Sequence, residues 1–276
     1  MKLVLDACSA RHPAAAASAV PALKAINLTL EHGEHVAVIG PSGAGKTTLL
    51  QVMACALRPS AGQLLLDETD PWALGTAALQ RLRGSLFLAP QVPPLPPRQR
   101  VITSVLAGQL PAMGLWQSLR SLLYPQDIPR AEFALSQFDL ADKLFDRVDR
   151  LSGGERQRVG LARLVASNAR LLLVDEPLSA LDPERARQAV ESLIAVARAR
   201  GATLVSTLHH VEMALQHFPR IVGMRDGALA FDLPASQVSS GLLQELYASH
   251  LDELTGPPPV VDLAASGTPV VAMQCR

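Results

Sequence analysis

Cysteine is scarce in this chain of 276 residues, and the three present, Cys8, Cys55 and Cys275, lie far apart. Their odd number and wide spacing argue against a disulfide framework or a cysteine metal cluster and point to a reducing compartment. An excess of charge of one sign is missing too. Lys+Arg and Asp+Glu balance at 25 each, so neither a basic nucleic-acid surface nor an acidic tail is indicated. Mean hydropathy is slightly positive at +0.21, yet no apolar run approaches the roughly 20 residues that span a membrane. Met1 to Asp6 offers too short an apolar core for a secretory signal, and no internal repeat is present. A soluble, cytoplasmic protein is the expectation. What is abundant is hydrophobic side chain, 49% of the total, ample for one large domain or a domain carrying an insertion.

The most informative stretch is Gly40-Pro41-Ser42-Gly43-Ala44-Gly45-Lys46-Thr47-Thr48, which matches the P-loop pattern G-x-x-x-x-G-K-[ST] at every fixed position. The short β-branched run Val36 to Ile39 before it predicts a buried strand. Leu49, Leu50, Val52, Met53 and Ala56 after it recur at helical spacing. Strand, glycine loop and helix N-terminus together make an anion site, because N–H groups without intrahelical partners point at phosphate oxygens. Side chains in place of the glycines would keep the backbone from wrapping a phosphate. Lys46 then reaches the β- and γ-phosphates, and the Thr47 hydroxyl can hold Mg²⁺.

Around this loop, strands are predicted near Val4, over Leu23 to Leu30, Gln63 to Leu66, Leu86 to Ala89, Leu171 to Val174, Thr203 to Thr207 and Ile221 to Met224. Arg58 to Gly62 is expected to end the P-loop helix, and helical stretches such as Glu184 to Arg200 separate the later strands. Alternation of strand and helix implies an α/β parallel sheet. The run Pro90 to Pro97, five prolines in eight residues with Gln91 among them, can be neither helix nor central strand, and reads as a linker or a functional loop. From Val101 to about Phe145 the pattern is helical, with breaks expected at Pro111, Pro125 and Pro129. One short helix is expected near Ser240 to Ala248, and a mobile tail after Gly256.

Leu171 to Glu176 is an apolar run ending in two carboxylates. Ligands of open α/β sheets sit at the carboxyl ends of strands, which places Asp175 near the P-loop. There it can hold Mg²⁺ through water, and Glu176 can orient or polarise an attacking water. Ser152 with Glu155 forms a capping box at the head of another helix. Two glycines just inside that helix, Gly153 and Gly154, each weaken it by up to about 1 kcal/mol relative to Ala. Bare backbone there would let a second phosphate surface approach closely.

With these motifs in place the chain resembles the ATP-binding-cassette (ABC) ATPases over most of its length. Leu151 to Glu155 is similar to the family signature and Asp175-Glu176 to its Walker B acids. Gln91 stands where the family has its Q-loop glutamine, Ser179 to Asp182 where it has the D-loop, and His209 where it has the switch histidine. The resemblance implies an α/β fold of the P-loop NTPase (RecA-like) type with an antiparallel β edge. It also implies an ATP-binding core over 1–90 and 151–232, a helical insertion over 91–150, and a C-terminal helix and tail over 233–276. It implies ATP and Mg²⁺ as ligands and, in the ATP-bound state, a head-to-tail homodimer sandwiching two nucleotides. Ser152, Gly153, Gly154 and Asp182 of one subunit would then face the nucleotide held by Lys46 of the other. Glu176 would be the general base or water-positioning carboxylate, and His209 would contact the γ-phosphate. Gln91 would sense Mg²⁺ and water, with Thr47 and Asp175 at the metal. Asp182-Pro183 also reads simply as an N-cap and first helical residue.

More narrowly, Val105 to Gly108, Trp116 to Leu119, Asp142-Lys143 and Arg220 to Gly227 resemble the ATPase subunits of phosphonate importers. Such a subunit works on the inner face of the cell membrane with integral permease subunits and, indirectly, a periplasmic solute-binding protein, and needs no nucleic acid. The cassette of another transporter, such as an exporter, or a soluble ABC protein is the alternative. Trp116, Leu119 and Leu122 either fill the core of the insertion or line the groove that receives the membrane partner. The family usually stacks adenine on an aromatic residue upstream of the P-loop. Here Arg11-His12-Pro13 occupies that region, making His12 the candidate. On that expectation His12→Ala weakens ATP binding, and an unchanged affinity in a nucleotide titration removes the stacking role.

Overall fold

The computed structural model describes residues 1–11, 20–124, 126–178 and 180–248. His12, Pro125, Ser179, Cys275 and the tail after Gly256 lie outside the described residues. The chain runs through β1 (Leu3–Ala10), β2 (Leu23–Leu30), β3 (His35–Ile39), α1 (Lys46–Met53), β4 (Ala61–Leu66), α2 (Thr76–Arg83) and β5 (Leu86–Ala89). Next come α3 (Val101–Leu106), α4 (Leu115–Leu123), α5 (Ile128–Ser136) and α6 (Gly153–Ala166). The remainder is β6 (Leu171–Asp175), α7 (Pro183–Ala199), β7 (Thr203–Thr207), α8 (Val211–His217), β8 (Arg220–Arg225), β9 (Ala228–Pro234) and α9 (Ser240–Leu246).

Six strands form one sheet in the order β5-β6-β7-β3-β8-β9, parallel except for the antiparallel edge pair β8-β9. A second, antiparallel sheet has the order β2-β1-β4. All residues of β3, β6 and β7 are buried, which is why they read as unbroken apolar runs rather than alternating ones. Their side chains still alternate between two cores. Val36, Val38, Leu171 and Val205 face α1 and the three-stranded sheet; Ala37, Leu172, Val174 and Leu204 face α6, α7 and the helices of the insertion. Cys8 and Cys55 are buried free thiols, their pKa values pushed up by burial to about 11 and about 12.

Several local expectations change. α1 closes at Met53, short of Arg58, because Cys55 adopts the left-handed conformation at φ 54 and the chain turns away. Of the expected breaks, Pro111 lies inside a short 3-10 segment (Ala107–Ala112), and Pro129 opens α5 rather than interrupting a helix. A proline in the first turn loses no intrahelical bond. β9 and α2 have no counterpart in the sequence reading. β9 is only half buried, and α2 buries none of its residues, so neither carries a strong periodic signal. Pro90 to Pro97 is a loop, and it is packed rather than free-running: a Cβ added at Gly160 of α6 would lie 2.6 Å from Pro93. On α4, Trp116 and Leu119 are 83% and 52% exposed, so they are not core of the insertion.

The two-sided burial of β7 makes its side chains costly to truncate. Leu204→Ala, at 0% exposure, is expected to lower unfolding free energy by about 2–5 kcal/mol, measured by chemical denaturation.

Candidate functional site

β3 delivers the chain to Gly40, whose φ is 148 and whose added Cβ would stand 2.1 Å from the Met224 carbonyl oxygen. Glycine alone fits there, so β8 fixes where the loop starts. The Gly40 N–H donates to the Tyr247 hydroxyl at 3.1 Å, and Tyr247 is 1% exposed. Pro41 and Ala44 are buried, while Ser42, Gly43 and Thr47 face outward. Gly45, at φ 100, caps α1 without any side-chain bond. The first turn therefore has no side-chain capping oxygen, and a helix start of this kind suits an anion. Lys46 is buried, with its ammonium donating to the carbonyls of Gly40 at 2.7 Å and Pro41 at 3.2 Å. Thr48 is buried beneath the loop.

The strand ends beside this loop supply the acids. The Thr207 hydroxyl donates to Asp175 Oδ1 at 2.7 Å and accepts from the Glu176 N–H at 2.9 Å. The Thr47 side chain stands close enough to Asp175 to favour its ionised form. Burial raises the Asp175 pKa; the Thr207 and Thr47 side chains oppose the rise, the Glu176 charge adds to it, and Lys46 opposes it. Glu176 sits at φ 46, in the left-handed region. Its Oε2 accepts from Gln91 Nε2 at 2.7 Å, and its Oε1 meets His209 Nε2 at 2.5 Å. Gln91 follows β5, Glu176 follows β6, His209 follows β7 and the P-loop follows β3. Four loops at the carboxyl ends of neighbouring parallel strands thus converge, as expected for an open α/β sheet.

The remaining site candidates are placed elsewhere on the protomer. Ser152 is an exposed N-cap engaged in a complete capping box with Glu155, at 3.2 and 2.7 Å. Gly153 and Gly154 are half-buried in the first turn of α6. Gly154 has a packing reason within its own chain, since its Cβ would lie 2.9 Å from the Ala180 carbonyl oxygen. Asp182 caps α7, accepting from the Arg185 N–H at 3.1 Å, with Pro183 in the first helical turn. His210 is exposed at the head of α8, so of the two adjacent histidines it is His209 that reaches the carboxylate. Three residues escaped the sequence reading: Thr207, Gln157 and Tyr247. A hydroxyl closing the buried run of β7 carried the same signal as the acids closing β6. Nothing in the sequence pointed to the other two.

A P-loop at the end of a central parallel strand, paired with acids at the end of β6, defines a nucleotide-binding P-loop protein. The family described as ABC transporter matches residues 23–179, and the chain belongs to that family. It is 67% identical to the phosphonates import ATP-binding protein PhnC of Polaromonas sp., over 100% of both chains. It is 66% identical to PhnC 2 of Albidiferax ferrireducens, again over 100% of both. A dimeric ATP-binding cassette, MJ0796, in a post-hydrolysis state bound to ADP and Pi, has a similar structure. Its TM-score is 0.71 at 26% identity, over 84% of this chain and 98% of that one.

Because burial raises the Asp175 pKa, the folded chain holds that proton more tightly than the unfolded chain. Its contribution to stability is therefore lost as pH rises through the carboxylate range. Asp175→Asn is expected to remove that dependence. At pH 7 it should raise the Tm of the ligand-free protein, and the gain should shrink as pH falls. Thermal unfolding across pH 4 to pH 8, as an approximate range around the ordinary carboxylate pKa, is the measurement.

Proposed function

We propose that this chain is the ATP-hydrolysing subunit that powers an importer of phosphonates or related phosphorylated solutes. The observation that carries the enzymatic part is the Glu176 carboxylate, held by Gln91 on one oxygen and His209 on the other beside the P-loop. The solute class is supported by the names of relatives that match the whole chain at 67% and 66% identity.

In this reading N–H groups of the loop and of the first turn of α1 take the phosphates of ATP, and Lys46 lies over them from its perch on the Gly40 and Pro41 carbonyls. The Thr47 hydroxyl and the Asp175 carboxylate are neighbours, and an all-oxygen pair of this kind fits a hard divalent cation. Among the described residues no cluster of three His, Cys, Asp or Glu offers a metal cage, so these two oxygens would hold Mg²⁺ together with the nucleotide. The ion would supply charge neutralisation at the phosphates. Glu176 orients a water in line with the γ-phosphorus and takes its proton as ADP and phosphate form. His209 places positive character near the transferring group, and Gln91 keeps the carboxylate aimed.

The exposed Ser152 and Asp182 and the half-buried Gly153 and Gly154 of the same protomer complete the nucleotide site of a twin molecule in a head-to-tail dimer. Residues 91–150 are assigned to the helical insertion and 1–90 and 151–232 to the core, with the chain from 233, described as far as 248, assigned to a C-terminal unit. Among the described residues no helix is long and apolar enough to cross a membrane. Passage of solute would then fall to separate permease subunits, to which this chain attaches from the inner face, with a periplasmic binding protein feeding them. The exposed Trp116 and Leu119 of α4 offer apolar surface for such a partner.

Glu176→Gln is expected to bind ATP with Mg²⁺, to accumulate as a dimer in light scattering, and to lose about 100-fold or more in turnover. Retained turnover would remove Glu176 from its role. A strain lacking the chain should also fail to grow on methylphosphonate as sole phosphorus source while growing normally on phosphate. Normal growth on both overturns the solute class.

A further inference from the structure

α6 carries a buried glutamine whose amide is engaged at both ends. Gln157 is 5% exposed. Its Nε2 donates to the Glu176 carbonyl oxygen at 3.0 Å, and its Oε1 accepts from the Ala180 N–H at 2.9 Å. Those two backbone groups bracket the short segment leading from β6 toward Asp182. The left-handed conformation of Glu176, at φ 46, costs on the order of 1–3 kcal/mol in a non-glycine residue and persists only where neighbours over-determine it. Here Thr207 holds the N–H of that residue and Gln157 holds its carbonyl. The peptides on either side of the Glu176 Cα are each held, and with them the direction in which the carboxylate leaves the backbone.

A third contact joins the same parts. A Cβ on Gly154 would lie 2.9 Å from the Ala180 carbonyl oxygen, so the first turn of α6 rests directly on this segment. Gly154 and Gln157 are three residues apart and share one face of the helix. Along that face lie, in order, the bare backbone assigned above to the twin's nucleotide and the amide that grips Glu176.

We propose that Gln157 is a positioning residue for hydrolysis. It ties the helix facing the partner's nucleotide to the carboxylate that activates water in its own site, by fixing the backbone of Glu176 and of Ala180. This rests on the composite-site reading of the proposed function. A displacement of the head of α6 on nucleotide contact is then felt first at the Glu176 peptide, before any change in the sheet. The buried amide would couple the two sites of the dimer without touching either nucleotide.

The test uses the full chain and two substitutions. Gln157→Leu removes both bonds at similar volume. Gln157→Glu keeps an acceptor for the Ala180 N–H but, ionised, has no proton for the Glu176 carbonyl. Both are expected to lower kcat about tenfold, the scale of one lost buried hydrogen bond, while the ATP dissociation constant and Tm of at least Gln157→Glu stay within about twofold and a few degrees. A kcat within twofold of wild type overturns the proposal. So does a fall in kcat matched by an equal loss of ATP affinity, because a merely structural glutamine would weaken both together. Glu176→Gln measured alongside separates the two levels. If that variant still turns over, the function itself was misread; if it is dead while the Gln157 variants are unaffected, only the positioning role fails.

Discussion

The register of three parallel strands is the constraint on which the site depends. Val38 of β3 and Asp175 of β6 both pair with Thr207 of β7. That single alignment sets the start of the P-loop, the two acids and the loop bearing His209 at one level across the sheet. The side-chain period of a strand is two, so a slip by one residue would turn Asp175 away from the loop and could bring Val174 to its place. Burial on both faces makes such a slip costly, since two apolar cores would be exposed to polar side chains at once. The thick hydrophobic packing around β3, β6 and β7 is therefore more than a source of stability. It is what brings the Thr207 hydroxyl and the Asp175 carboxylate within hydrogen-bond distance beside the glycine loop.

That packing also carries features which lower stability on their own. Asp175 is a buried acid whose charge is disfavoured by desolvation. Glu176 occupies a left-handed backbone conformation, and α1 begins on a glycine with no capping oxygen. Each lies at the carboxyl edge of the sheet, and each has polar partners that limit its cost: Thr207, Gln157 and the exposed mouth of the loop. Strain gathered at one edge, with apolar density behind it, is the pattern expected where chemistry needs groups held against their preferences.

Much of this was legible in the sequence because the relevant signals are local. The P-loop spacing, the apolar run ending in Asp175-Glu176 and the capping box at Ser152 each need only a few neighbouring residues, and all three stand where those signals placed them. His209 was separable from His210 through its position after β7. What was not legible is contact at long range. The Tyr247 hydroxyl meets Gly40 across 207 positions, and no pattern in either segment advertises the other. Gln157 looks like one more polar residue on an amphipathic helix until its buried partners are seen. α2 and β9 were missed for a different reason: half-exposed elements lack the hydrophobic contrast from which period is read.

The strand order has a consequence for how the molecule comes into being. β3 and its phosphate loop emerge early in translation, but the strands that flank β3, namely β7 and β8, are made more than 160 residues later, and Tyr247 later still. The nascent N-terminal segment leaves the ribosome with its most apolar strand and its glycine-rich loop unpartnered, and closing those contacts is slow because the sequence separation is large. Nucleotide recognition thus arrives late and all at once, when nearly the whole polypeptide is available. A truncated or stalled product would carry the motif intact and still be unable to shape it.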